Sequence, residues 1–113
     1  MRQMNSAVLS AADASSSQTS ITINSADLHL ASAQVVITGT AAGAVKLQAS
    51  NDAPTSGAVS NWSDISGATV SVSGAGAYLI PELDVCYNHL QAVFTRSSGT
   101  GTITVNVHLI GYA

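Results

Sequence analysis

A chain of 113 residues with three basic and six acidic side chains, net charge −3, is the length of one folding unit, and it has too little Lys and Arg to clamp phosphates, which argues against nucleic acid and against an anionic membrane surface. Charged residues make up 8 % of the chain, against a usual ~25 %, so part of the surface is expected to be covered by partners. The single cysteine, Cys86, excludes an intrachain disulfide, and no stretch approaches the roughly 20 apolar residues of a membrane span.

Residues 1–19 are rich in Ala, Ser and Gln, with Ser15, Ser16 and Ser17 in the middle. The apolar run Ala7 to Ala12 is broken by Ser10 and followed by Asp13, so it is not expected to serve as a secretory signal. Ala7 to Ala14 has too few large apolar residues to anchor a helix. Two readings stand: a disordered tail, or an extended arm that orders against a neighbouring subunit.

From Thr19 the chain reads as strands. Ile21 and Ile23 share a face of the first, and Asn24 to Asp27 is a turn. Leu28 to Leu30 is a short extended piece and Gln34 to Gly39 a strong strand. In Val45 to Ser50, Val45, Leu47 and Ala49 point in while Lys46 and Gln48 point out. A long polar loop, Asn51 to Gly57, precedes Trp62, and Ala68 to Val72 alternates again. Ala77 to Ile80 runs into Pro81, which lacks a ladder donor and should end the strand or lie at a sheet edge. Leu90 to Thr95, a loop containing Gly99 and Gly101, and Thr102 to Leu109 form a hairpin. In its last strand Ile103, Val105, Val107 and Leu109 occupy one face, the pattern of a half-buried strand. About eight strands at short, even spacing predict an all-β fold, a single jelly-roll-like β-sandwich over residues 20–113 behind an N-terminal arm at 1–19.

No group of side chains has the spacing of a catalytic centre, and the chain is expected not to be an enzyme. Glu82 and Asp84, beside Pro81, read as decoration of an exposed corner. Cys86 and His89, three residues apart on a strand, would point to opposite faces, so Cys86 reads as a buried structural thiol. His29, His89 and His108 show no metal-ligand spacing. Asn51, Asp52, Thr55 and Ser56 offer oxygen ligands for calcium, but an Asx-type turn, with side-chain oxygens bonding the local backbone, is the ordinary explanation. Trp62, Tyr78, Tyr87 and Tyr112 could stack on sugars, whereas Trp62 by itself reads as a cover for one end of the core. No catalytic residue, cofactor or metal is expected.

Three pieces in order, Leu47 to Asp52, Asn61 to Gly67 and Ser97 to Thr102, resemble the β-sandwich proteins of tailed-phage particles, over about residues 35–111. Within that group the chain looks most like the capsid cement, or decoration, proteins of short-tailed phages. That resemblance implies a non-enzymatic virion protein, made in the bacterial cytoplasm, that binds the outer shell. Its partners would be the major capsid protein and further copies of itself, and it would staple neighbouring capsomers. The alternative is a carbohydrate- or receptor-binding module of a phage tail or bacterial surface.

Overall fold

The computed structural model describes residues 2–53 and 59–111. Nine strands follow one another: β1 Arg2–Asp13, β2 Gln18–Thr19, β3 Ile23–Asn24, β4 Leu30–Gly39, β5 Ala42–Ser50, β6 Ser63–Ser73, β7 Gly76–Asp84, β8 His89–Ser98 and β9 Gly101–Gly111. They form two antiparallel sheets, one in the order β1-β9-β4-β7, the other in the order β2-β8-β5-β6 with β3 also on β8. With β2 and β3 counted as one interrupted strand, every connection except β5–β6 passes from one sheet to the other. That winding is a jelly roll.

Alternation in the sequence fills the space between the sheets. Ile103, Val105, Val107 and Leu109 of β9 are all buried and face Val45, Leu47, Ala92, Phe94 and Leu90 of the other sheet. The polar partners of β9 turn outward, as a period of two requires. Pro81 lies within β7, an edge strand. Gly99 and Gly101 bring the β8–β9 turn against β4: a Cβ on Gly101 (φ 143°) would stand 1.8 Å from the Thr38 carbonyl oxygen, and one on Gly99 (φ 79°) 2.1 Å from that of Thr40. This is the physical content of the Ser97–Thr102 stretch.

The N-terminal segment corrects the expected arm and the boundary at residue 20. Arg2 to Asp13 is a full strand of the sandwich, paired with β9 from Arg2↔Gly111 to Asp13↔Thr102. Val8 and Leu9 are buried in the core and Ala14 is fully covered. The next residues are tied in as well: Gln18 and Thr19 pair with Phe94 and Val93, and the Ser17 hydroxyl accepts from the Arg96 N–H at 3.0 Å. A second correction concerns Ile21 and Ile23, which do not share a fate: Ile23 is buried and Ile21 is 63 % exposed. The Ser20 hydroxyl takes the place of a ladder partner, accepting from Ala92 N–H at 2.8 Å and donating to the Ile21 carbonyl at 2.8 Å. That substitution interrupts the strand between β2 and β3.

Candidate functional site, the outer face of the four-stranded sheet

The two outer sheet faces differ in kind. On the five-stranded sheet the polar side chains are bonded to one another. Gln91 Nε2 donates to Gln48 Oε1 at 2.8 Å, Gln48 Nε2 to Asp64 Oδ1 at 2.9 Å, and Lys46 Nζ lies 3.1 Å from Asp64. The Gln48 amide first, and Lys46 after it, holds the Asp64 carboxyl below its ordinary range.

On the four-stranded sheet the register sets out rows of uncharged side chains. Ala7, Asn106, Gln34 and Leu79 stand abreast across all four strands. Asn5, His108 and Ser32 form the row on one side, and Thr104, Val36 and Ala77 the row on the other. The first two of these rows line a shallow depression of about 680 Å³. Leu79 is 66 % exposed in it. Of the acids, Asp13 lies opposite Thr102 and Asp84 opposite Leu30, beyond these rows, while Glu82 adjoins Ser32 and His108 at the margin of one row. This face presents amides, hydroxyls, methyl groups, the His108 imidazole and one isobutyl side chain in a flat array. Such a surface can bury against another protein without stranding a charge.

The other residues singled out in the sequence fall elsewhere. Asn51 and Asp52 serve the loops. Asp52 accepts from Asn61 Nδ2 at 2.7 Å, Ser60 N–H at 3.0 Å and Asn61 N–H at 3.3 Å. With N–H donors on both oxygens this carboxylate is an anchor for the chain around residues 59–61, and the Asn61 amide above all keeps its pKa low. Thr55, Ser56 and Tyr112 lie outside the described residues. Among the described residues no three metal-ligating side chains come together. His89 is buried, with Nε2 3.4 Å from the Ala53 carbonyl oxygen, while His108 stands on the outer face of β9.

Cys86 is exposed, not buried as the sequence suggested, because it lies in the connection between β7 and β8 and not in a strand. Trp62 is half-buried just before β6 and lies outside the buried cluster. Tyr78 sits at the opposite end of the sandwich. Its hydroxyl accepts from Ser73 N–H at 3.1 Å and shares its hydrogen between the carbonyls of Ser73 and Gly74. Tyr87 packs against the core at the loop end that holds Asn51. Among the described aromatic residues, Tyr78 is therefore separated from Trp62 and Tyr87 by the length of the sandwich, and the three do not share one platform. The array around Gln34 and Leu79 went unnoticed in the sequence, because its rows come from four strands far apart in the chain. Only the outward alternation of β9 hinted at it.

Fold and surface together define a jelly-roll β-sandwich with one uncharged sheet face. It is similar to the SPBc2 prophage-derived protein YomS, with a TM-score of 0.62 and 13 % identity over 96 % of this chain and 92 % of that one. It is also similar to PirA, with a TM-score of 0.56 and 13 % identity over 91 % of this chain and 90 % of that one. A third likeness, with a TM-score of 0.51 and 9 % identity, is to a chain of infectious bursal disease virus, Gx strain, of which this chain spans 31 %. At these identities the likeness is one of fold. No family model matches the chain, and no curated protein matches it.

Proposed function

We propose that this protein is a non-enzymatic structural protein of a phage particle. It acts as a capsid cement, docking on the outer shell and joining neighbouring capsomers, and it is made in the bacterial cytoplasm. The observation that carries the reading is the uncharged outer face of the four-stranded sheet, centred on Gln34, Asn106 and Leu79. A surface of this kind binds by excluding water and pairing amides, and it needs neither a catalytic group nor a cofactor. Its partners are the major capsid protein and further copies of the chain. The near full-length fold likeness to a prophage-derived protein supports the phage setting.

The test is occupancy. The protein should be present in hundreds of copies in purified particles, counted by quantitative mass spectrometry. Particles lacking it should bind the purified chain, and Leu79→Glu, which sets a charge in the centre of the face, should abolish binding while leaving the melting curve unchanged. A few copies confined to the tail would instead identify a receptor- or carbohydrate-binding module. Full binding by Leu79→Glu would remove this face from the reading.

A further inference from the structure

The sandwich has four edges: β1 and β7 on one sheet, β6 and the β2–β3 pair on the other. An exposed strand edge presents unpaired N–H and C=O groups, and folds blunt it with prolines, charges, bulges or brevity. Three of the edges are blunted. β7 carries Pro81, Glu82 and Asp84, and its ladder to β4 is shifted between Ala31 and Ala33. β2 and β3 are two residues each. β6 contains Asp64 and is broken at Gly67 (φ 81°), where its register shifts, and the N–H and C=O of Ser73 are already taken by the Tyr78 hydroxyl.

β1 has no such protection in its first half. From Arg2 to Ala7 it runs in unbroken register with β9, without proline, glycine or bulge. From Gln3 to Ala12 it has no charged side chain. Its groove-facing residues Met4 and Ser6, with Ile21 and Ile23, line an open groove of about 680 Å³ beside that edge. Ile21 stands 63 % exposed at its rim, within a 3.4 Å bond from its N–H to the Val8 carbonyl.

We propose that β1 is a homodimer edge, pairing antiparallel with β1 of a second copy about a two-fold axis at Asn5. The backbone demands an extended strand as occupant, and antiparallel pairing lets one strand complement itself. A two-fold axis normal to the sheet keeps each face on its own side, so outward residues must meet outward residues. Centring on Asn5 satisfies this and uses the whole regular stretch. Asn5 then faces Asn5 of the other copy, Met4 faces Ser6, Gln3 faces Ala7, and the Ile21 side chains are covered at the two ends. The two four-stranded sheets become one of eight strands. This inference concerns the isolated protein and does not depend on the particle. If the cement reading also holds, both uncharged faces of the dimer look the same way and engage the shell together.

The purified chain should show a monomer–dimer equilibrium in the micromolar range by sedimentation, as a small interface gives. Asn5→Lys places two lysines across the axis, their Cβ atoms about 5 Å apart, and should weaken association at least tenfold with unchanged melting. In a Cys86→Ser background, Asn5→Cys should oxidise to a covalent dimer, since opposed Cα atoms about 4.5–5.5 Å apart suit a disulfide. Ala7→Cys in the same background should cross-link only with the Gln3→Cys protein. A chain still monomeric at about 100 µM overturns the proposal. So does a dimer that survives Asn5→Lys intact, and so does equal self-cross-linking at positions 5 and 7.

Discussion

Asn51 and Asn88 hold two loops together across 37 positions of sequence: the Asn88 N–H donates to Asn51 Oδ1 at 3.0 Å. The Asn88 side chain adds bonds from Nδ2 to the carbonyls of Asn51 at 3.3 Å and Asp52 at 3.1 Å. This clasp ties the end of β5 to the start of β8, at the end of the sandwich where Ser25 also bonds Tyr87 and Asn88.

Asn88→Ala removes the side-chain half of the clasp and should cost about 1–2 kcal/mol, since a net hydrogen bond is worth about 1 kcal/mol. The fall in Tm should be several degrees. Asn51→Ala should cost about 1 kcal/mol. The two changes remove different bonds between the same two loops, so the double variant should lose at least the larger single cost, and urea titration of the four proteins reads the coupling carried through the loops themselves.

Asp52 predicts an acid limb of stability. Its folded pKa lies below the ordinary 3.8, chiefly through the Asn61 amide. A depressed carboxylate contributes stability that is fully present above 3.8 and is lost as pH falls through that value toward the folded pKa. Melting temperature should therefore decline as the pH is taken below about 4, and Asp52→Asn should decline less steeply from a lower starting point. Parallel curves for the two proteins would relieve Asp52 of this role.

Deleting residues 2–13 should destroy the fold, in contrast to what removal of a loose arm would do. The deletion strips β9 of one ladder and opens the core where Val8 and Leu9 are buried. The expected product is aggregated or lacks near-UV circular dichroism. A truncated protein that melts like the parent would contradict the β1–β9 pairing.

At the centre of the core, Phe94 is fully buried, and Phe94→Ala should cost about 3–5 kcal/mol, a large share of the roughly 5–15 kcal/mol available to a domain. Val105→Asp, which would place an unpaired charge between the sheets, should prevent folding altogether. Chemical denaturation and solubility settle both.

Particle binding should be insensitive to salt. The proposed docking face has no Lys, Arg, Asp or Glu among the residues named in its three rows and only Glu82 at the margin of one of them, and only charged contacts are screened. Bound protein should remain on particles from low salt to about 1 M, measured by co-sedimentation; release across that range would indicate an ionic attachment.

Strand β9 was legible because β-branched and aliphatic side chains alternate there without interruption, but its pairing was not: the short glycine-bearing connection to β8 suggests a hairpin, whereas β8 and β9 lie in opposite sheets and the turn crosses between them. β1 was not legible as a strand. Its inward positions include small residues such as Ser6, and bulges between Ala7 and Leu9 and between Leu9 and Ala12 place Val8 and Leu9 side by side in the core. A period-two pattern cannot survive two bulges in one strand. The motif around Asn51, Asp52 and Asn61 was visible, yet its use as a loop clasp depends on Asn88, which no spacing rule connects to it. Neither the uncharged face nor the edge at Asn5 has a local signature, since both arise from how β1, β4, β7 and β9 are placed abreast.

The order of those strands also governs how the chain can acquire its structure. β9 lies between β1 and β4, yet it follows every other strand in the chain. Until it enters, the four-stranded sheet is two separate pieces, β1 alone and the β4–β7 pair, each with an unsatisfied ladder. Only the other sheet can begin to assemble early, from the β5–β6 hairpin. Closure therefore spans nearly the whole chain and is slow, in the millisecond-to-second range of high contact order. During that interval the neutral edges of β1 and β4 stand open to strands of other chains, which makes synthesis rate and protein concentration determinants of yield.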